Sequence, residues 1–306
     1  METEASDRPG RATPSPVPHP LPAAARRDNL KLWNAWTKVH EASAFYDVEG
    51  FRAGATSLFP LELEELGPAV REGTTLLHLQ CHFGLDTLSW ARMGAEVVGV
   101  DISDEAIALA RRLADDVGLS GRAEFICSDV YDADDPLGER LFDIVFVSWG
   151  ALEWLPDLAP WARLIARRLK PGGLYYMAEI HPFASCYDEV PGERQLRIGY
   201  DYFAGPEKPS VDAVEHSYAD PQTRLDNLVA WGWEHSMSAI IGSLLDAGLR
   251  LEQLHEHPFA PAPFWDWMVQ DEQRWWWLPD EQGGHRHDLP FSYSIKATRP
   301  PADGLP

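Results

Sequence analysis

Two stretches of this chain carry residue types that do chemistry on a bound small molecule. In the first, residues 75–101, an apolar run from Leu76 to Leu79 feeds a turn over Gln80–Gly84. A helical segment stopped by Gly94 follows, and a second apolar run ends on Asp101. Strand, tight turn, helix, strand and acid make half of a nucleotide-binding α/β unit. A carboxylate ending that strand can accept two hydrogen bonds from a vicinal diol, such as a ribose presents. Seventeen positions separate Gly84 from Asp101, near the roughly 20 expected between a glycine turn and a ribose-binding acid. The competing reading is a surface acid capping the helix that starts near Glu105. A third strand ends Cys127-Ser128-Asp129-Val130, where Asp129 can take a hydrogen bond from an adenine amino group with Val130 against the ring. A loop or N-cap aspartate is the alternative. In the second stretch, Glu179 follows Tyr175-Tyr176-Met177-Ala178. A carboxylate half-buried among aromatics has a raised pKa and can serve as a general base; a salt-bridged strand-end acid is the alternative. His181, ahead of Pro182, is a second candidate base.

The elements that must position these residues alternate. Strands are predicted over 75–80, 96–101, 123–127, 142–148 and 173–180, with helices near 86–93, 103–117 and 157–169. Short loops between them predict a parallel, doubly wound sheet. Lys170-Pro171-Gly172-Gly173 reads as the stop and turn after the last of these helices. A helix at 236–247 and strands at 249–257 and 290–297 close the domain. Residues 1–26, with prolines alternating from Pro14 to Pro22, show no apolar face and read as a disordered tail. Residues 27–74 form an N-terminal helical cover, in which Leu30, Trp33, Trp36 and Val39 mark one helical stripe behind an Asp28 N-cap. Two aromatic-rich segments, 181–234 and 258–289, interrupt the regularity as lid insertions, the second inside the closing unit 235–306.

Composition narrows the partners. With 26 Lys and Arg against 48 Asp and Glu the formal charge is −22, a surface that repels nucleic acid and anionic membranes. Three cysteines, Cys81, Cys127 and Cys186, lack metal-ligand spacing and read as free thiols of a reducing cytoplasm. No stretch is apolar and long enough to span a bilayer, and no signal-peptide core begins the chain. His255/His257 and His285/His287 sit at chelating alternation, yet no carboxylate or cysteine completes a set, so no metal is expected.

The segment 75–180 resembles the class I, Rossmann-like S-adenosylmethionine-dependent methyltransferases. The resemblance rests on the 75–84 turn, Gly99-Val100-Asp101, Ser128-Asp129-Val130, Phe142-Asp143-Ile144-Val145-Phe146-Val147 and Leu169-Lys170-Pro171-Gly172-Gly173. It implies an α/β, doubly wound, mostly parallel seven-stranded sheet, with the strand at 290–297 antiparallel between its last two neighbours. It also implies S-adenosyl-L-methionine as cofactor, held by Gln80, Cys81, His82, Gly84, Asp101, Ile102, Asp129, Val130 and Ser148. The family's first motif, acid-x-Gly-x-Gly-x-Gly, is altered here. His78 stands at the acid, Gln80 and His82 at the first two glycines, and only Gly84 remains. Gln80 and His82 bring side-chain hydrogen bonds where glycines offer only backbone. The missing glycine-rich dinucleotide fingerprint argues against NAD.

Methyl transfer from a sulfonium is an in-line displacement in which alignment alone supplies about 7–11 kcal/mol. The acceptor belongs above the carboxyl ends of the fourth and fifth strands, near Ser148, Trp149 and Glu153, with Glu179 or His181 as base. Trp36, Tyr46, Trp149, Phe183 and Trp265 are the candidate acceptor wall. Three consecutive tryptophans, Trp275–Trp277, cannot all face one core on a regular element, so a lid, a partner chain or a ligand is expected to meet some of them. The expected acceptor is a small aromatic, indole-like natural product. The alternatives are an isoprenoid diphosphate met by Arg194, Arg197 and Arg224, or a non-catalytic nucleoside-binding module with a Trp-rich partner surface. A homodimer is compatible with these features.

Overall fold

The computed structural model describes residues 21–189 and 195–301. Thirteen strands are present among them: β1 (Thr75–Leu79), β2 (Glu96–Asp101), β3 (Ala123–Cys127), β4 (Phe142–Val147), β5 (Leu169–Ile180), β6 (Tyr187–Glu189), β7 (Leu196–Ile198), β8 (Ser210–Val214), β9 (Leu228–Gly232), β10 (Arg250–His257), β11 (Val269–Gln270), β12 (Trp276–Trp277) and β13 (Ser292–Thr298). Seven form one sheet in the order β10-β13-β5-β4-β1-β2-β3. β1 pairs parallel with both β2 and β4, and β13 runs antiparallel between β5 and β10, as the resemblance implies. Strands buried on both faces need unbroken apolar runs, which Leu76–Leu79 and Ile144–Val147 supply, His78 excepted.

Helices cover both faces: α1 (Ala23–Ala42), α2 (Val48–Arg52), α3 (Pro60–Glu65), α4 (Leu85–Arg92), α5 (Asp104–Asp116), α6 (Asp134–Leu137), α7 (Leu158–Arg168), α8 (Pro182–Ser185) and α9 (Met237–Asp246). α5 shows why the sequence folds this way. Ser103 caps it by accepting from the Ala106 N–H at 3.0 Å, and Ile107, Leu109, Ala110 and Leu113 bury one stripe. The main core lies between the sheet and α7 and α9, around Val145, Val147, Trp161, Ile165, Tyr175 and Ile295.

Several boundaries differ from the sequence-based expectation. α1 begins at Ala23, so Asp28 lies inside it and Pro22 occupies the N-cap. The expected disordered tail therefore ends too late. Residues 1–20 lie outside the described residues, but Leu21 and Ala25 pack on Trp233, and Arg26 pairs with Asp129 at 3.2 Å and Asp132 at 3.0 Å. Periodicity missed this turn because its apolar contacts reach an element two hundred residues away. Lys170–Gly173 is no terminator either. α7 stops at Arg168, β5 starts at Leu169, and the Pro-Gly-Gly forms a bulge where the β4–β5 register shifts.

The Trp275–Trp277 run needs no ligand. The short β11–β12 hairpin turns Trp275 and Trp277 into one cluster with Phe59 and Phe259, and Trp276 toward another with Trp265 and Phe291. Strand alternation distributes the three between two intramolecular faces.

Candidate active site

The turn from β1 into α4 crosses the carboxyl end of the sheet. Gln80 and His82 sit in left-handed backbone at φ 57° and 50°, the conformation a glycine adopts without strain. The turn thus holds a glycine-like backbone at two positions that carry side chains. Gly84 is also left-handed, at φ 77°, and a Cβ there would lie 2.5 Å from the Phe125 ring. Its smallness makes room for the Phe125 ring and Ala110 where α4 packs on β3 and α5.

Asp101 ends β2 beneath this turn. One carboxylate oxygen accepts from the His82 N–H at 2.8 Å and the other from the Ser103 N–H at 2.9 Å. Burial pushes its pKa up to about 6 against these stabilising bonds. Each oxygen keeps an unused lone pair, so two hydroxyl donors can still be received. Ile102 follows at the helix approach, its carbonyl facing the Cys127 thiol at 3.6 Å. Cys81 is buried behind the turn, and a Cβ on Gly99 would meet its sulfur at 2.8 Å. Asp129 takes the N-cap role that competed with adenine binding: one oxygen accepts from the Tyr131 N–H at 3.0 Å while the other faces Arg26. Val130 is buried in the main core.

The two expected bases are otherwise engaged. Glu179 is almost fully buried and accepts from the backbone N–H groups of Gly150, Ala151, Leu152 and Ile180, at 2.5, 2.7, 3.2 and 2.7 Å. Burial raises its pKa and these four donors oppose the rise. With every lone pair taken it anchors the 150–152 loop. His181 caps α8 by accepting from the Phe183 N–H at 3.0 Å through Nδ1, which leaves Nε2–H to donate to Glu256 at 2.9 Å. Both arrangements have one cause: sequence shows where an acid or imidazole sits, not which hydrogen-bond partners converge on it.

The acceptor wall is also redrawn. Trp36 and Tyr46 do come together, under a roof from two distant segments. Trp36 lies 5.6 Å from Tyr218 and 6.1 Å from Trp154, and Trp33 lies 5.1 Å from His82, between ring centroids. The Tyr46 and Tyr218 hydroxyls are 2.5 Å apart. His40 Nε2 meets the Ser217 hydroxyl at 2.6 Å, and its Nδ1 meets His82 Nε2 at 2.8 Å. α1 is seated on β9 through buried Asn29, which exchanges two 2.9 Å bonds with the Trp231 backbone. Trp149 instead donates to Glu62 at 3.1 Å and packs on Phe59 and Trp275. Phe183 packs on Tyr187, and Trp265 is buried against Phe291. These three leave the chamber. Ser148 belongs to a polar chain beneath the turn, 3.2 Å from His78 and from Asp86.

Trp154, Tyr218 and His40 were not singled out from sequence, since nothing local marks them. Glu153, noted there only as a neighbour of the site, is the prominent acid of the chamber. Its side chain is exposed, yet burial and the carboxylates of Glu179 and Glu234 push its pKa up to about 8. Tyr218 is likewise 45% exposed and strongly raised by desolvation. Glu153 and Tyr218 are both exposed, so they stand at the solvent edge of the aromatic group. No hydrogen bond engages the Glu153 carboxyl among the described residues. Arg197 pairs with Asp188 at 3.7 Å and Arg224 with Asp226 at 3.2 Å, both mostly exposed. They build no basic pocket for a diphosphate, and Arg194 lies outside the described residues.

Fold and site together define an α/β methyltransferase core. Residues 77–177 match the family model described as a methyltransferase domain. The chain is 32% identical over 129 residues to a ubiquinone biosynthesis O-methyltransferase of Ralstonia nicotianae, covering 42% of this chain and 52% of that one. It is 29% identical over 224 residues to the enzyme so named in Xanthomonas euvesicatoria pv. vesicatoria, covering 72% and 81%. The chain spans about half the length of most of these curated relatives, 44–53% for five of them. An S-adenosylmethionine-dependent methyltransferase structure from Mesorhizobium loti superposes with TM-score 0.53 at 19% identity, over 81% of this chain and all of that one, a likeness of fold. The chain carries a class I methyltransferase domain, and its cofactor is S-adenosylmethionine. The residues present suit that group. Asp101 has lone pairs left for a diol, and Gln80 Oε1 and His82 Nδ1, on the same turn, are buried without a hydrogen-bond partner.

Proposed function

We propose that the whole chain methylates a small, aromatic or largely apolar acceptor, indole-like in shape, held in the chamber between Trp33, Trp36, Tyr46, Trp154 and Tyr218. The observation that carries this reading is the two-segment aromatic roof standing over the cofactor turn with one unengaged carboxyl, Glu153, in its wall. Aromatic faces bury a planar body and exclude water from it. The cofactor supplies a methyl group on a sulfonium. The protein's part is alignment and proton removal: the roof fixes the acceptor's plane, and Glu153 takes the proton of the nucleophilic atom. That part needs the ionised form, so turnover rises with pH through about 8. The O-methyltransferase relatives favour an oxygen nucleophile.

The test is incubation of the full chain with methyl-labelled cofactor and a bacterial small-molecule extract. A labelled aromatic product whose yield collapses in Glu153→Gln, with cofactor affinity retained, is expected. A labelled product formed equally well by Glu153→Gln would remove the proton-acceptor role, and a labelled charged or polymeric product would remove the acceptor class.

A further inference from the structure

Gln80 and His82 each hold a left-handed backbone that disfavours a side chain, at φ 57° and 50°. Each also buries a polar atom, Oε1 and Nδ1, that nothing in the described protein satisfies. Strain and an orphaned atom on the same residue, twice within one turn, are costs that a bound partner can return. We propose that these side chains grip the amino-acid end of the cofactor: Gln80 Oε1 accepts from the α-ammonium, and His82 Nδ1–H donates to the α-carboxylate. The assignment rests on the reading that this chain binds S-adenosylmethionine.

The surrounding bonds set the polarity. Gln80 Nε2 donates to the Ala151 carbonyl at 2.7 Å, so its amide orientation is fixed and an acceptor oxygen is left over. Ala151 is itself held by Glu179, which makes that oxygen rigid. His82 Nε2 faces His40 Nδ1 at 2.8 Å, and His40 Nε2 faces the Ser217 hydroxyl at 2.6 Å. If Ser217 donates to His40 and His40 donates to His82, the proton of neutral His82 stands on Nδ1, aimed at an anion. Burial keeps both imidazoles neutral, with His40 lowered to about 3 and His82 held well below its ordinary range. Asp101, bonded to the His82 N–H, marks the ribose side of the same turn.

Calorimetry on the full chain tests this with two probes, S-adenosylhomocysteine and 5′-methylthioadenosine, which share the nucleoside while only the first has the amino-acid end. Q80G and H82G restore the glycines of the family pattern. Each is expected to weaken S-adenosylhomocysteine about ten- to a hundredfold, the loss of one hydrogen bond to a charged group, and to leave 5′-methylthioadenosine unchanged. Should a glycine variant fail to fold, Q80M and H82F carry the same expectation with the side-chain bulk retained. Unchanged S-adenosylhomocysteine affinity, or an equal loss for both probes, overturns the assignment. A wild-type chain that binds neither probe overturns the cofactor reading instead.

Discussion

Asp101 offers the sharpest test of the nucleoside site, because its proton and the ribose compete for the same oxygens. Burial holds its pKa near 6 instead of 3.8 in the free protein. That rise is worth roughly 3 kcal/mol against the ionised form. The folded pKa lies above the unfolded one, so between about pH 4 and 6 the folded protein binds more protons, and the group's contribution to stability falls as pH rises through that window. Two ribose hydroxyls donating to the carboxylate favour its ionised form and pull the pKa back down. Ligand binding below pH 6 therefore expels a proton, and affinity for S-adenosylhomocysteine rises with pH. At pH 5 about one site in ten is ionised in the free protein and at pH 7 about nine in ten, so affinity should be roughly tenfold weaker at pH 5. Calorimetry in buffers of different ionisation enthalpy reads both the affinity and the released proton. Asp101→Asn should bind more weakly at pH 8 by about 1.5–3 kcal/mol and lose the pH slope. Glu234, raised to about 7, and Glu153, raised to about 8, titrate in an overlapping pH range, which makes this variant the necessary control. A flat affinity between pH 5 and 7, or the same slope in Asp101→Asn, would show that no diol meets this carboxylate.

Two further outcomes follow from where the structure departs from the sequence-based reading. Glu179→Gln leaves one or two of the four converging N–H groups facing an amide nitrogen, so it should destabilise the fold by about 2–6 kcal/mol, measured as a lower denaturant midpoint; normal stability with slowed turnover would return Glu179 to the role of base. Deleting residues 1–26 removes Leu21, Ala25 and Arg26 from their contacts with Trp233 and Asp129, and should cost about 2–4 kcal/mol by burial alone, seen as a lower melting temperature.

The alternating core was legible because its signals are local. Apolar runs ending on Asp101 and Val147 name strands, the Ser103 cap names the start of α5, and the order of the closing strands followed from the resemblance. The turn from β1 into α4 was legible for the same reason: Gln80, His82, Gly84 and Asp101 lie within one continuous strand–turn–helix–strand unit. The acceptor side was not, because its geometry is set by long-range bonds. Nothing near Tyr218 in sequence announces that its hydroxyl meets Tyr46. Nothing in Tyr-Tyr-Met-Ala-Glu announces four amides folding back onto Glu179. The tryptophan run misled in the opposite sense, since an unusual composition implied an external partner that strand alternation within a small hairpin makes unnecessary.

The altered turn and the roof are parts of one device. A glycine at position 82 would leave the backbone and the bond to Asp101 intact, yet it would remove the imidazole that His40 holds. His40 in turn holds Ser217, the residue immediately before Tyr218, whose hydroxyl meets that of Tyr46. The side chain that replaces glycine therefore begins a run of hydrogen bonds from the cofactor turn, through α1, to the insertion that covers the acceptor. A bound nucleoside is expected to be felt at the acceptor roof through that chain, by a mechanical route. Satisfying His82 Nδ1 fixes the proton order along His40 and Ser217, which stiffens the segment carrying Tyr218. Occupancy by S-adenosylhomocysteine should then slow amide exchange around residues 217–220 in the wild type and leave it unchanged in H82G; equal protection in both would show that turn and roof act independently.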